Sequence, residues 1–269
     1  MPFLTETQIL NMIVEISSFS NPRIKSLKAL SKSRNRKTEG VFCMEGRPEL
    51  DHAFNAGLKP KLIAYCEHYI SLDQIMAITS LAETEVLNLS KAVFDDLTYQ
   101  NVPKNFLAVF ESWQCHLSDF DPRKLTIVLE NLEKPGNLGA VIRTCDALGI
   151  KQVLVSNSEI DLFNPNVLRN SRGGIFNVDV VFTSNQEASE YLNQNKVKSL
   201  AAVLSPTAKD FKSINNQEIE ALIFGAESTG LSSFWLDQEI QHIIIPMNGV
   251  VDSLNLSVSV AILASHFNA

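Results

Sequence analysis

Three glycine-bearing turns hold the residues best suited to chemistry, and each follows a short apolar run. The first, Glu130-Asn131-Leu132-Glu133-Lys134-Pro135-Gly136-Asn137-Leu138-Gly139-Ala140-Val141-Ile142-Arg143-Thr144, follows Leu125–Leu129. Pro135-Gly136 marks a turn, and Asn137 is placed to cap the next helix. Leu138, Ile142, Cys145 and Leu148 give that helix an apolar face, and Arg143 lies off it. An Arg near a strand's carboxyl end reaches a phosphate or carboxylate bidentately. It equally suits a surface ion pair, with Asp146 as partner. The second turn, Gly225-Ala226-Glu227-Ser228-Thr229-Gly230-Leu231, follows Ala221–Phe224 and frames a carboxylate between glycines, which allow close backbone approach to a ligand. Glu227 suits a hydroxyl or amine, or simply a helix entry favoured by the dipole. The third, Pro246-Met247-Asn248-Gly249 running to Ser257-Val258, follows Ile243–Ile245, with Ser253 placed to cap the last helix and Asn255 in its first turn.

Several chemistries are excluded by spacing. No GxGxxG follows the first strand of either module, and no GxxxxGK[ST] occurs, so nucleotide sites of those kinds lack their signatures. The five histidines (His52, His68, His116, His242, His266) are dispersed, and none lies in a glycine turn. Metal-ligand spacing is absent, and no metal is expected. What remains is Arg, Glu, Asn and backbone groups, a set suited to group transfer from a reactive donor rather than to hydrolysis.

The elements that must position these turns are legible as alternating runs. Leu125–Leu129, Gln152–Val155, Val178–Phe182, Ser199–Leu204, Ala221–Phe224 and Ile243–Ile245 read as buried strands, with helical stretches between most of them and a terminal helix over Leu254–Phe267. That alternation predicts a mostly parallel sheet covered on both faces, with ligands beyond the strands' carboxyl ends. The first part reads as a smaller α/β module: a basic helix over Pro22–Ser33, a break at Gly40, strands at Val41–Glu45, Lys61–Cys66, Glu85–Leu89 and Leu107–Glu111, and helices near Pro48–Asn55, with a Gly57 stop, and Leu72–Ser80. The aperiodic stretch at 113–123 reads as a linker between domains 1–112 and 124–269, with Trp113 and Phe120 as docking or core residues.

The 269 residues allow one large domain or two modest ones, and 45% apolar residues suffice for a buried core. No apolar run approaches a membrane span, and MPFLTETQIL lacks a basic region followed by an apolar run, so no secretory signal is expected. Four scattered cysteines without CxxC spacing fit a reducing cytoplasm. The net charge of −7 hides an asymmetry: Arg23, Lys25, Lys28, Lys32, Arg34, Arg36, Lys37 and Arg47 are opposed only by Glu39 and Glu45, so this segment carries +6 and the rest −13. Such a block is either a solvated helix face or a footprint for a polyanion.

At the three turns the sequence resembles the SpoU (TrmH-like) RNA 2′-O-ribose methyltransferases of the SPOUT superfamily. Asn137–Thr144 resembles motif 1, Phe224–Leu231 motif 2, and Ile245–Gly249 with Ser253–Val258 motif 3, in the family's order. Ser171-Arg172-Gly173-Gly174 resembles, more loosely, the family's Ser-x-Gly segment. One departure is Ser228, where the family carries Gly; Gly225 and Gly230 remain. The resemblance implies an α/β domain with a C-terminal trefoil knot, S-adenosylmethionine held by Gly225, Ala226, Gly230, Ile245, Met247 and Leu254, and a homodimer with catalytic residues drawn from both chains. The first module resembles the ribosomal-protein-like substrate-binding domain of many members, which implies RNA as partner for Arg23, Lys25, Lys28, Lys32, Arg34, Arg36 and Lys37.

The implied reaction is attack of a ribose 2′-oxygen on the donor's methyl group, with Arg143 as general base, Asn137 orienting it, Glu227 holding a ribose or Arg143, and Ser253 and Asn255 completing the site. A guanidinium with a pKa above about 12 hardly deprotonates, so phosphate clamping and stabilisation of the forming alkoxide suit Arg143 better. Ribosomal RNA is the expected substrate, because the shortest members acting on transfer RNA lack the first domain. Transfer RNA, a catalytically silent RNA-binding or ribosome-assembly factor, and a small-molecule α/β enzyme are the alternatives.

Overall fold

The computed structural model describes residues 13–81, 83–98, 105–215 and 218–268, so the opening MPFLTETQIL lies outside the described residues. The chain divides into two units: one runs to Trp113 and includes Phe163–Leu168, and the other comprises Gln114–Leu162 and Arg169–Ala269.

The first unit follows the order β1 (Ile13–Ile16), α1 (Pro22–Ala29), α2 (Ser33–Glu39), β2 (Val41–Glu45), α3 (Arg47–Asn55), β3 (Leu62–Tyr65), α4 (Leu72–Met76), β4 (Glu85–Leu89), α5 (Lys91–Leu97) and β5 (Phe106–Glu111). Its five-stranded sheet has the order β1-β4-β3-β5-β2. β5 runs antiparallel to both its neighbours, and the other pairs are parallel. Ile24 and Leu27 of α1 join Leu87, Val93 and Phe94 in one buried cluster. Phe163 belongs here because its ring stacks on Phe42 at 4.5 Å, with Trp113 edge-on to both.

The basic helix expected over Pro22–Ser33 ends at Ala29, and a second helix, α2, follows over Ser33–Glu39. Asn21 caps α1 through its side chain, and Pro22 opens it. The polar run after Ala29 then turns, because side chains compete for the backbone: Arg36 Nη1 donates to the Leu30 carbonyl at 2.6 Å and Asn35 Nδ2 to the Ala29 carbonyl at 2.8 Å. β1 and α5 escaped the sequence reading; β1 has only four residues.

The second unit runs β6 (Thr126–Glu130), α6 (Pro135–Ala147), β7 (Gln152–Ser156), α7 (Pro165–Ser171, its first part grouped with the other unit), β8 (Asp179–Thr183), α8 (Asn185–Gln194), β9 (Ser199–Ala202), β10 (Lys209–Asp210), β11 (Ala221–Phe224), α9 (Ser233–Leu236), β12 (Gln241–Ile244) and α10 (Leu256–Phe267). The seven strands lie in the order β10-β12-β9-β11-β6-β7-β8, all parallel. This is the parallel sheet that the apolar runs predict, and β6, β7 and β11 are buried along their whole length. Leu138, Ile142 and Cys145 form the buried face of α6, each aliphatic side chain contributing about 1.5–3 kcal/mol. α10 packs against α6 and β11 through its own buried residues, Val260 and Leu263 among them.

The segment read as a linker holds a 3-10 turn at Leu117–Asp119, and Phe120 is buried in the core of the second unit. Gln152 fixes it further: its amide donates to Thr126 Oγ1 and to the Asp121 carbonyl, and accepts from the Asp121 N–H. Among the described residues no helix is long and apolar enough to cross a membrane.

Candidate active site

The three glycine turns leave the carboxyl ends of β6, β11 and β12, and the second and third frame one cleft of about 670 Å³. Gly225, Ala226, Glu227, Gly230, Ile245, Met247, Ser253 and Leu254 line it, together with residues that spacing did not reveal, among them Leu204, Leu236 and His242. Its walls mix aliphatic side chains with hydroxyl and backbone groups, and its charged side chains are Glu227 and Asp252; among the described lining residues there is no Lys or Arg. A cleft of this volume fits a ligand of nucleoside size better than one carrying phosphates.

The second turn closes on itself. Gly230 N–H donates to the Ala226 carbonyl at 2.9 Å, and the two residues form an isolated antiparallel bridge. The closure is so tight that a Cβ on Gly225 would stand 2.0 Å from the Gly230 carbonyl carbon. Glycine at 225 is thus required by the loop's own backbone. Ser228, the departure from the family pattern, turns its hydroxyl to Glu133 at 3.3 Å.

Glu227 joins all three turns. Its Oε2 accepts from Lys134 Nζ at 2.8 Å, and its Oε1 from Asn255 Nδ2 at 2.7 Å. The Leu256 N–H at the start of α10 is 3.5 Å away, and the Asn137 side chain bonds to the same carboxylate. Lys134, which the sequence reading passed over, immediately precedes α6. Glu227 does not open the helix after its own turn, which begins at Ser233; it faces the N-terminus of α10 instead, where the dipole favours its charge.

Two capping expectations are corrected. Lys134 is the N-cap of α6, because Pro135 already fits the first helical position; Asn137 lies inside the first turn and is free to bond Glu227. Asn255, not Ser253, caps α10: its Oδ1 accepts from Ser257 N at 2.9 Å while its amide N–H serves Glu227. Ser253 stays on the cleft wall, donating to Asp252 at 3.3 Å.

Arg143 is exposed on α6 and makes no hydrogen bond or ion pair among the described residues; neither the Asp146 pair nor a contact with Asn137 is formed. Gly174, in the loosely matching Ser171–Gly174 segment, packs closely against its helix. A Cβ on Gly174 would stand 3.2 Å from the Ile142 carbonyl oxygen and 3.4 Å from Arg143 Cα. On the opposite face, burial and Asp146 push the Cys145 thiol up to about 12, so no thiolate nucleophile is available.

The basic residues expected to meet RNA, Arg23 to Lys37, all lie in the first unit, and they are not equivalent. Arg36 is only 3% exposed and is spent on the Leu30 carbonyl, so it is removed from the expected RNA contacts. Arg23 pairs with Glu85 and Lys28 with Asp96. Lys25, Lys32, Arg34 and Lys37 are exposed and carry no ion pair among the described residues.

The Glu227 junction has a pH signature. Lys134 first, then Asn137 and the Leu256 N–H, hold its carboxyl below the ordinary Glu range. A depressed folded pKa stabilises the fold above the unfolded value and is lost as pH falls through the folded one. Glu227→Gln should therefore flatten the loss of stability below about pH 4.3, read from urea midpoints across the acid range. An acid limb identical to the wild type would show that the junction carries no linkage.

The SpoU rRNA Methylase family model matches residues 124–265, and the model of the MRM3-like substrate binding domain matches residues 21–108. A 23S rRNA (guanosine(2553)-2′-O)-methyltransferase, RlmP, of Bacillus subtilis is 28% identical over 255 residues, 94% of this chain and 98% of the relative. A tRNA (guanosine(18)-2′-O)-methyltransferase of Thermus thermophilus is 36% identical over 142 residues, 52% of this chain and 71% of the relative. The crystal structure of AdoMet-bound rRNA methyltransferase from Sinorhizobium meliloti superposes with a TM-score of 0.83 at 26% identity, covering 94% of this chain and 96% of that one. With its three turns in one site and over half its length matched by the family model, the chain belongs to the SpoU rRNA Methylase family.

Proposed function

We propose that the protein is an S-adenosylmethionine-dependent RNA methyltransferase that modifies a ribose 2′-hydroxyl in ribosomal RNA. The observation that carries the reading is the cleft of the second and third turns, closed by Gly225, joined through Glu227 to the helix that bears an unpartnered Arg143. Bound there, S-adenosylmethionine supplies a methyl group on a sulfonium, which leaves readily. Gly225, Ala226, Gly230, Ile245, Met247 and Leu254 would hold it. Asp252, in a lining without Lys or Arg, suits the sulfonium's charge, whereas Glu227 is already paired with Lys134.

The chain's remaining work is to place the ribose and stabilise charge. Arg143 would hold the RNA phosphate and the 2′-oxygen as negative charge builds, remaining protonated throughout, and the hydroxyl proton would pass to solvent water as the oxygen takes the methyl group. Glu227 already accepts from Lys134 and Asn255, so it is a brace for the three turns, with Asn137 and Asn255 as its ties. Ser253, on the cleft wall, is within the reacting region.

The rRNA reading is favoured by coverage: the relative acting on 23S rRNA matches both units, whereas the one acting on tRNA matches about half the chain. Residues 1–112 then form the RNA-binding module, 113–123 the connection and 124–269 the methyltransferase domain. Lys25, Lys32, Arg34 and Lys37 supply its phosphate contacts, with Arg23 and Lys28 sharing their charge with Glu85 and Asp96. Insertion of β12 between β9 and β10, followed by α10 on α6, supports a C-terminal knot. Exposed Val250, Val251 and Val258 support a homodimer through the second unit. Four free cysteines support a cytoplasmic protein.

The test is incubation with labelled S-adenosylmethionine and unmodified ribosomal and transfer RNA, separation by size, and alkaline hydrolysis. A methylated 2′-oxygen cannot attack its neighbouring phosphate, so label should appear in alkali-resistant dinucleotides from ribosomal RNA. Label in mononucleotides would mean base methylation, and donor binding without transfer to any RNA would favour the silent RNA-binding factor. Charge reversal at Lys25, Lys32, Arg34 and Lys37 should weaken RNA binding and lower its salt slope by roughly 0.7–0.9 per lost contact, with donor binding unchanged. An unaltered slope would place the RNA elsewhere.

A further inference from the structure

The cofactor turn is braced from a side that the three motifs do not include. Glu130, the last residue of β6, is only 1% exposed, yet it carries a carboxylate. Its Oε2 accepts from the Ser232 N–H at 2.7 Å, and its Oε1 accepts from Ser232 Oγ and Asn185 Nδ2, both at 2.5 Å. All three donors are neutral, and no Lys or Arg pairs with it among the described residues. A buried carboxylate without a cation is costly, and a purely packing position would take an apolar side chain at lower cost.

Its location explains the expense. β6 and β11 are neighbours, with Leu129 opposite Phe224, so Glu130 stands beside the point where the chain leaves β11 into the Gly225–Leu231 turn. Ser232 is the residue at which that turn ends and α9 begins. Glu130 thus ties the return of the turn to its departure. Because the turn is already closed against Gly225, a shift at Ser232 passes to Leu231 and Gly230, both of which line the cleft.

We infer that Glu130 is a positioning residue of the methyl-donor site, setting the Gly225–Leu231 turn by holding Ser232 against the end of β6. The inference rests on the reading of that cleft as the donor site. Its third donor, Asn185, shares Oε1 with the Ser232 hydroxyl and fixes the carboxylate to the start of α8, so the brace has a rigid base.

The test uses the full chain and S-adenosylmethionine. Glu130→Gln keeps the shape but sets an N–H against one of the three donors. It should raise the donor's Kd and KM by about tenfold or more, equivalent to one decade of affinity, with the RNA KM unchanged. Ser232→Ala removes only the hydroxyl, keeps the backbone N–H, and should shift the donor KM in the same direction by less. The double variant should be no worse than Glu130→Gln, since both act through one contact. A donor KM equal to the wild type's in both single variants, with only the thermal midpoint lowered, would make Glu130 structural and overturn the inference. A wild-type chain that does not bind the donor would overturn the donor site itself, and this inference with it.

Discussion

Arg143→Ala should lose methylation by about 100- to 1000-fold while donor binding is retained, the size expected when one charge-stabilising donor is removed from a reaction centre. The separation follows from where the side chain lies. Arg143 is exposed, off the buried stripe of Leu138, Ile142 and Cys145, and without a hydrogen bond or ion pair among the described residues. Removing it leaves no orphaned partner, so stability should stay within about 0.5 kcal/mol. It is also absent from the lining of the donor cleft. Arg143→Lys should recover little, because an ammonium keeps the charge and loses the planar fork that spans a phosphate and the 2′-oxygen. Single-turnover methylation and donor calorimetry measured on the same preparation decide it. Loss of both would show that Arg143 supports the cleft, and full activity would remove it from the reaction.

Gly225→Ala should abolish donor binding and destabilise the fold. The added methyl would stand 2.0 Å from the Gly230 carbonyl carbon and 2.2 Å from both the Gly230 oxygen and the Leu231 nitrogen. These are backbone atoms of a closed turn, so relief requires opening the turn itself. The cost should be roughly 3 kcal/mol or more, at or beyond the usual range for overpacking. Gly230→Ala is the informative control. Gly230 has a φ of 69° but nothing within 4 Å of an added Cβ. Its penalty is conformational alone, about 1–2 kcal/mol. A φ-based ranking would put the two the other way round. Denaturant midpoints and donor affinity for both variants separate the causes; a Gly225→Ala protein that binds the donor like the wild type would show that the turn does not hold it.

Much of the second unit was legible because its signals are local. Runs such as Thr126–Glu130 and Gln152–Ser156 are buried on both faces, and a parallel sheet leaves that mark on each strand separately. The apolar stripe of α6 is a helical repeat within one element. Strand ends moved by one or two residues, as where Ile243–Ile245 became Gln241–Ile244, since the ladder to β9 runs back to the exposed Gln241, which carries no apolar signal. The first unit was less legible. Its helices are short, and Arg36 carries the same charge in the sequence as Lys37; only the fold shows that one is buried on a carbonyl and the other exposed.

The longer buried strands, the glycine turns after them and the side chains each turn brings can be read along the chain, because periodicity and steric freedom act between near neighbours. Which of those side chains meet depends on how the chain folds back on itself. Lys134 reaches Glu227 across 93 positions, Asn255 reaches it across 28, and Glu130 reaches Ser232 across 102. Strand order places these ends side by side, and a carboxylate takes whichever donors that order sets within hydrogen-bond reach.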